Sequence, residues 1–504
     1  MLLVERARAA NPSFEGGGDA EVLAGRLGGL PLAIEMIAPW TRSLSTAEII
    51  ERIDDLLAIG GTSGAGRQQT MTTVLDWSDR LLDYGERRAF HCLGVFLGDF
   101  DLAAAGAVLA DEDRATSVLA ELARLVDCSL VVAEPAGAVV RYRLLEPVRQ
   151  YALRRLAEDG GEGRARDRHL NHYLALAGDV GRHANGADAR TWLARADQDL
   201  SNLRTAHDWA VTAGQADPAA SLAAGLYWYW WIRAASSEGI DRLTRSLALD
   251  PTRAVAARAG VGLATMLHQA GRRAEAEGVA DAARQDAEGA GDRRALARAL
   301  GMLGRLAVDR GDFAAANARL AAAEGLYEEF GNRLGLAWIR VVWQASALVE
   351  GDQELAARRL DSADRLFTEG ASAWGMANAS FIRGGDAARN GDLDEALVRL
   401  RHANRLVDDN RLRDELTANA RSWLAAVLTN VDGAHIARNY RWWTAAGARA
   451  SMKDDGLTFG TNANAGVCIH FREKVPSPFR RSGHSALTVT VEDLEGLTNV
   501  LADA

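Results

Sequence analysis

A glycine-containing turn recurs at a fixed interval along the middle of this 504-residue chain. Glycine stands at position 271 and at every fortieth position up to 391, and an aspartate follows three of these four glycines. The turn residues are Gly271, Gly311, Asp312, Gly351, Asp352, Gly391 and Asp392. Apolar helical stretches separate the turns, so each period predicts two antiparallel helices. A period of this length restricts the region to stacked helix pairs, an α-solenoid.

The rest of the chain predicts a mainly α fold around this solenoid. We assign residues 1–58 to a lid of helices, 59–70 to a glycine-rich linker and 71–158 to a winged-helix domain. The tetratricopeptide-like solenoid covers 159–428, and a small α+β segment covers 429–504. Capping boxes at Ser45–Glu48 and Asp83–Glu86 mark two helix starts in the first part.

The winged-helix prediction depends on helices that are followed by a hairpin. Residues 129–133 and 138–143 alternate as strands do, with a Pro-Ala-Gly turn signal between them. The helix in the recognition position should expose Glu121, Arg124 and Asp127, which is not a basic face. Phosphate attraction supplies most nonspecific DNA affinity, so we expect this domain to act within the protein rather than on DNA.

Charge and lysine usage exclude further classes. The formal net charge is −10, which argues against a dedicated nucleic-acid binder. Only Lys453 and Lys474 are lysines, and a P-loop needs a lysine to reach the phosphates, so we expect no ATP or ADP site within this chain. The stretch at 60–68 resembles a phosphate loop, but Arg67 and Gln68 stand in the Lys and Ser/Thr places. No signal peptide or membrane-length apolar run occurs, so we expect a cytoplasmic protein with no membrane partner.

Aromatic and histidine side chains offer few catalytic candidates. The run Tyr227–Trp231 could form a ligand cage, but consecutive helical residues point in different directions, so core packing is the favoured interpretation. Four histidines are expected on helix surfaces, namely His91, His169, His172 and His183. We identify no catalytic triad, paired-carboxylate site or cofactor loop.

Four motifs in sequence order carry a family resemblance. Gly29–Ala33 resembles the helical lid of NB-ARC-type signalling ATPases, the STAND class. Thr72–Ser78 and Leu144–Ala152 resemble the start and end of the winged helix in actinobacterial regulators of the AfsR/SARP and large LuxR kind. Asp199–Ala206 resembles the start of their tetratricopeptide region. The likeness covers about residues 1–428.

The resemblance implies a nucleotide switch with a sensing solenoid. In that family the ATPase core binds ATP or ADP, and the lid proline, here Pro31, lies against the nucleotide. Leu144-Leu145-Glu146 replaces the Met-His-Asp motif, so a histidine contact to the phosphates is not expected. The core itself does not occur in this sequence, so we expect the back half of a regulator. Nucleotide would come only from a missing or separate P-loop domain or subunit.

The tail carries a second resemblance. Residues 467–471 and 487–491 alternate as strands, and Gly483–Leu494 is similar to a glyoxalase/bleomycin-resistance (vicinal oxygen chelate) module. That family often places a metal ligand where His484 falls, although metal catalysis needs about four ligand positions and we can place only this one. A histidine at the start of a strand is the competing interpretation, and the module is expected to be incomplete.

Three functions remain open on the sequence alone. The first is a non-enzymatic regulatory protein whose solenoid groove binds a protein or peptide. The second is a transcriptional regulator that binds DNA through the winged helix. The third is a metal-dependent enzyme in the tail. The repeats and the absent P-loop lysine favour the first.

Overall fold

The computed structural model describes most of the chain up to residue 410 and four strands beyond it. The described residues are 2–27, 29–59, 67–110, 117–137, 139–390, 392–410, 449–453, 456–460, 466–471 and 486–489. The chain divides into two compact units, the first comprising Met1–Gly178 and Ala194–Leu222, the second Asp179–Leu193 and Ala223–Ala504. Helices dominate the described residues of both units, which confirms the predicted mainly α fold with helical repeats.

Helices up to residue 232 contribute to the first unit, and the division between units falls inside three of them, at 178/179, 193/194 and 222/223. The helices are α1 (Leu2–Ala10), α2 (Gly18–Arg26), α3 (Pro31–Ile37), the 3-10 helix η1 (Ala38–Arg42), α4 (Thr46–Ile59), α5 (Arg67–Arg80), α6 (Tyr84–Leu93), α7 (Leu102–Leu109), α8 (Val118–Asp127), α9 (Glu146–Glu158), α10 (Glu162–His183), α11 (Ala189–Gln198), α12 (Leu200–Thr212) and α13 (Ala216–Ile232). Both predicted capping boxes form, because Ser45 and Glu48 bond reciprocally, as do Asp83 and Glu86.

The hairpin of the first unit lies further along the chain than predicted. Strand β1 (Val132–Ala136) pairs antiparallel with β2 (Val139–Arg143). The predicted first strand began at Ser129, but that residue has a φ of 58°, which is incompatible with a strand. Pro135 lies within β1 rather than in the turn, and Gly137, with a φ of 66°, begins a tight connection.

Helix pairs and a small sheet make up the second unit. After α14 (Ser236–Leu247) the pairs are α15 (Arg253–Gln269) with α16 (Arg273–Ala290), α17 (Arg293–Arg310) with α18 (Phe313–Glu329), α19 (Arg333–Val349) with α20 (Gln353–Glu369), and α21 (Ala373–Arg389) with α22 (Leu393–Asp409). The strands are β3 (Arg449–Lys453), β4 (Gly456–Gly460), β5 (Gly466–Phe471) and β6 (Ala486–Val489). They follow that order in one sheet, in which only the β5–β6 pairing is parallel.

At the described junctions between α15 and α21, a residue in the left-handed conformation precedes the start of the next helix. The glycines at 271, 291, 311, 331 and 351 have φ values between 61° and 85°, a conformation that glycine adopts without steric cost. The residue that follows most of them caps the next helix; Asp312, for example, accepts a hydrogen bond from the Ala315 N–H. Asp292, Asn332, Asp352, Ser372 and Asp392 form the same bond.

Neighbouring pairs fit because large and small side chains alternate at their crossings. A Cβ added to Gly335 would lie 2.4 Å from the Tyr327 ring, and one added to Gly375 would lie 2.1 Å from Phe367. At the equivalent earlier crossing Ala287 packs in one cluster with Ala295. The aromatic rings therefore use the space that the glycines leave.

Ala371, with a φ of 47°, takes the place that glycine holds at the other described junctions between α15 and α21. We predict that Ala371→Gly raises the free energy of unfolding by about 0.5–1 kcal/mol, because an L side chain is strained in this conformation. Gly351→Ala is the matched reverse change and should lower it by a similar amount, since its Cβ would meet no atom within 4 Å. Urea unfolding followed by circular dichroism measures both, and a loss of stability in Ala371→Gly would contradict the prediction.

Candidate functional site

The first helices of the four pairs, α15, α17, α19 and α21, lie side by side in the second unit. Residues 40 apart occupy the same helical phase on them, as Arg258, Arg298, Trp338 and Asn378 do. The two arginines are exposed, and Trp338 and Asn378 are half-buried. Most nearby positions on these helices hold alanine, glycine or aliphatic residues. The charged, aromatic and amide side chains of this column are therefore the groups on these helices that could recognise a ligand.

Two adjacent residues of α13 reach toward three of these helices. A Cβ on Gly262 of α15 would lie 3.2 Å from the Tyr227 Cβ. The Tyr227 phenol lies close enough to Arg298 of α17 that each influences the pKa of the other. The Trp228 ring centroid is 6.1 Å from that of Trp338 on α19.

Tryptophans extend the contact to α21. Trp374 lies 5.8 Å from Trp228, 5.9 Å from Trp231 and 4.3 Å from Trp338, measured between ring centroids. Trp338 also packs 4.7 Å from Phe367. Trp374 is buried, but Trp228, Trp231 and Trp338 are only half-buried, so the cluster presents aromatic surface to solvent.

These contacts require the row of first helices to be curved. Adjacent residues of one helix are displaced by about 1.5 Å along its axis. Four packed helices in a flat row would span roughly 27 Å, three gaps of about 9 Å. The row therefore curls around the end of α13 and forms a concave face. We call the site on this face the inner patch; it comprises Tyr227, Trp228, Trp231, Arg298, Tyr327, Trp338 and Trp374.

Arg298 is the charged member of the inner patch. Its pKa is raised, with the Tyr227 phenol as the largest cause and the Tyr327 phenol and Asp292 carboxylate as lesser ones. Burial raises the pKa of both tyrosines, so their phenols stay protonated at neutral pH. Within the part of the chain that the structure describes, Arg298 forms no ion pair with a carboxylate.

The predicted core role of the aromatic run is only partly right. Tyr227, Tyr229 and Trp230 are buried. Trp228 and Trp231 instead project toward helices that lie more than 100 positions later in the chain, which local periodicity could not indicate. The sequence did contain one signal, the column of residues spaced 40 apart that includes Arg298 and Trp338. Large or polar residues occupy this column, whereas most positions around it hold small or aliphatic residues.

The residues singled out by sequence are not brought together. Pro31 is exposed at the first position of α3 in the first unit. The turn residues that are described, from Gly271 to Asp392, lie at helix ends as left-handed residues and caps. Gly391 and His484 lie outside the described residues. No group of three or more His, Cys, Asp or Glu side chains could hold a metal ion in the described ranges.

A buried ionic network in the first unit accounts for the first residue of the motif Asp199–Ala206. Asp199, which is fully buried, accepts from Arg141 Nη2 at 2.8 Å and pairs with Arg195 Nε at 2.6 Å. Arg195 also pairs with Asp101 at 2.8 Å. Arg141 is on β2 and Asp199 directly precedes α12, so the network fastens the hairpin to that helix.

Asn202 completes the attachment through backbone groups. Its Oδ1 accepts from the N–H groups of Leu97 and Gly98, both at 3.1 Å, and its Nδ2 donates to the Asp99 carbonyl at 2.8 Å. The Asp99 carbonyl also accepts from Arg141 at 2.7 Å. The motif at 199–206 thus holds the loop between α6 and α7, which is a structural role.

The surface prediction is wrong for two histidines. His91 is buried between Asp79, at 2.8 Å from Nε2, and Asp159, at 3.1 Å from Nδ1. His169 is 2% exposed and packs 4.6 Å from the Tyr173 ring. Their helices cross other helices at those positions, and this crossing is not visible in a single helical pattern.

The face assigned to α8 also needs correction. Glu121, predicted to be exposed, is 5% exposed. The Arg124 guanidinium lies 5.4 Å from the Trp40 ring centroid and 3.5 Å from a Glu86 carboxylate oxygen. Arg124 is therefore engaged with other parts of the first unit, and Glu121 is buried.

Among the helices in the described ranges, none is both long enough and apolar enough to cross a membrane.

Two curated relatives come from Mycobacterium tuberculosis. One, named as a candidate HTH-type transcriptional regulator, is 42% identical over 248 residues, which is 48% of this chain and 28% of that protein. The other, an uncharacterised protein, is 41% identical over 180 residues, 34% of this chain and 46% of that protein. The chain thus spans less than half the length of either relative. No protein-family model matches the chain.

Two solved structures share low similarity with the chain. A STAND protein with a tetratricopeptide repeat sensor from Pyrococcus horikoshii has a TM-score of 0.33 at 12% identity, covering 88% of this chain and 72% of its own. A Rap protein complexed with competence and sporulation factor has a TM-score of 0.40 at 12% identity, covering 56% and 88%. The solenoid assignment rests on the helix pairs described above and not on these scores.

We predict that Asp199→Ala lowers the free energy of unfolding of the first unit by about 3–5 kcal/mol, because it leaves Arg141 buried without its counter-charge. Glu158→Ala is the control; Glu158 is exposed and pairs with Arg155 at 2.9 Å, so its loss should cost less than about 1 kcal/mol. Urea unfolding measures both, and equal effects would contradict the buried network.

Acid should destabilise the first unit through His169. Burial, then the nearby charges of His172 and Arg166, lowers the pKa of His169 from 6.5 to about 3. The unfolded chain therefore binds a proton that the folded unit excludes. This contribution is fully present above the unfolded pKa and is lost as the pH falls from about 6.5 toward 3, by about 1.4 kcal/mol per pH unit. His169→Phe should reduce the change in the urea midpoint between pH 7 and pH 5. An unchanged pH dependence of the midpoint would refute the assignment.

Proposed function

We propose that this chain is a non-enzymatic regulatory protein whose solenoid binds a protein or peptide partner at the inner patch. The observation that carries the proposal is the concave face itself, where Trp228, Trp231 and Trp338 are half-buried and the same column of first helices presents Arg298 without a carboxylate partner among the described residues. Solvent-exposed aromatic surface in a concavity is costly unless a ligand covers it. Aromatic and arginine side chains are also the residues that most often dominate interface energies.

We further propose that the regulated process is transcription. The support is the mycobacterial relative named as a candidate HTH-type regulator, together with the AfsR/SARP- and LuxR-like motifs of the first unit. In this proposal α6–α9 and the β1–β2 hairpin act as a winged helix within the protein. Nucleotide, ATP or ADP, would be bound by a P-loop module elsewhere, and exposed Pro31 would face it.

DNA binding through α8 is the weaker alternative. A recognition helix needs free basic side chains to contact phosphates and base edges. Arg124 is engaged with Trp40 and Glu86, and Glu121 is buried. We therefore propose that DNA is contacted by another part of the regulator. The glyoxalase-like activity of the tail and the role of His484 rest on sequence resemblance alone.

We predict that the immobilised full-length chain captures a partner from actinobacterial lysate in a saturable manner, and that Trp338→Ala weakens capture at least about fivefold by removing an anchor of the inner patch. Trp343→Ala is the matched control on the same helix; its Nε1 donates to Asn317 at 2.6 Å. Quantitative mass spectrometry followed by titration with the purified partner measures the effect. A chain without any saturable partner would contradict the proposal.

A further inference from the structure

We infer that the inner patch recognises a peptide carboxylate, with Arg298 as its anchor and the flanking tryptophans as the surface for an adjacent apolar side chain. The inference deepens the proposed function and rests on it. It assigns the ligand as an acidic peptide segment, in which the carboxylate belongs either to an Asp or Glu side chain or to the C-terminus.

Arg298 lacks the carboxylate partner that several other arginines of the solenoid have. Arg305 lies 3.4 Å from Asp309, Arg340 lies 2.8 Å from Glu324, and Arg383 lies 3.1 Å from Asp364. The protein has 68 acidic and 58 basic residues, so carboxylates are in excess. Arg298 nevertheless forms no ion pair with the described carboxylates. A guanidinium can accept a carboxylate in a bidentate arrangement, which Arg298 leaves open to a ligand.

The surroundings of Arg298 strengthen such a contact. The Tyr227 and Tyr327 phenols lie close enough to raise the pKa of Arg298, and both are neutral hydrogen-bond donors. Both tyrosines are more than nine-tenths buried, at 9% and 7% exposure. A charge interaction beside buried aromatic groups is screened less by water than one on an open surface.

Half-buried tryptophans define the second element of the ligand. Trp228 on α13 and Trp338 on α19 have ring centroids 6.1 Å apart. An apolar side chain one or two residues from the carboxylate would cover their remaining exposed surface. The combination of one cation with several aromatic rings suits a short peptide.

Single-stranded nucleic acid could also use cations and aromatic rings, but the charge pattern favours the peptide. Strand binders track a phosphate backbone with a continuous basic groove. Here the equivalent positions on α19 and α21 hold Trp338 and Asn378, and Arg258 already lies 3.9 Å from Asp292. Within this column Arg298 is the arginine without a described carboxylate partner, and a single arginine matches one carboxylate better than a polyanion.

The test titrates the full-length chain with four fluorescein-labelled probes. The first is an octapeptide of alternating Glu and Leu with an amidated C-terminus, the second is its Gln/Leu counterpart with a free C-terminus, and the third is the Gln/Leu amide, which carries no carboxylate. The fourth is a single-stranded DNA oligonucleotide. The first two probes separate a side-chain carboxylate from a terminal one.

We expect at least one carboxylate probe to bind saturably and about tenfold or more tightly than the Gln/Leu amide, by fluorescence anisotropy. Arg298→Gln should remove about tenfold of that affinity, since a charge-assisted hydrogen bond is lost. Arg298→Lys should retain part of it, because the charge remains without the planar fork. Arg365→Gln, an exposed arginine on α20 without a described partner, should leave the affinity unchanged.

Several results would overturn the inference. These are an absence of saturable carboxylate binding, equal affinity for the Gln/Leu amide, an unchanged affinity in Arg298→Gln, or tighter Arg298-dependent binding of the oligonucleotide. If the Gln/Leu amide binds equally well and Trp338→Ala abolishes that binding, the solenoid remains a peptide receptor and only the carboxylate assignment fails. If neither the probes nor the lysate yield Trp338-dependent binding, the proposed function fails as well.

Discussion

The close approach of helix pairs in the second unit depends on large aromatic side chains that pack against glycines, which have no side chain. Tyr327 and Phe367 occupy the space that Gly335 and Gly375 leave at the next helix. Close packing of this kind sets the position of each first helix. Tyr327 also links packing to chemistry, because its ring fills the crossing while its phenol lies near Arg298. The inner patch is thus built from the same side chains that hold the repeats together.

Different kinds of interaction stabilise the two units. The first depends on buried polar groups, with Asp199 and Asn202 fixing a loop and a hairpin through charged and backbone hydrogen bonds. Such networks specify one arrangement, because any unpaired member is costly. The second depends on apolar volume and on repeated caps such as Asp312. A partner-sensing role suits the second, whose concave face retains incompletely buried aromatic rings.

The sequence predicts the repeat well and the site poorly. The glycine junctions and the caps each depend on a few residues that are neighbours in sequence, and they recur with a fixed period. They can therefore be predicted from the sequence alone. The sequence around Arg298 does not distinguish it from other exposed helical arginines. Only the curvature of the row of helices around α13 places it in the inner patch. The contact of Trp228 with Trp338 joins residues 110 positions apart. The burial of His169 and the shift of β1 away from Ser129 likewise depend on packing and on one unusual φ value.

The contact between α13 and the last described pair changes how the solenoid can unfold. A linear stack of repeats, held only by nearest neighbours, frays from its ends and melts in steps. Here Trp374 touches Trp228 and Trp231, and the Ser372 hydroxyl donates to Asn185 at 2.8 Å. Detaching the fourth pair therefore breaks contacts with the start of the array as well as with the third pair. Such closure joins the ends of the array into one cooperative unit, so that a ligand bound near Arg298 would stabilise all four pairs together.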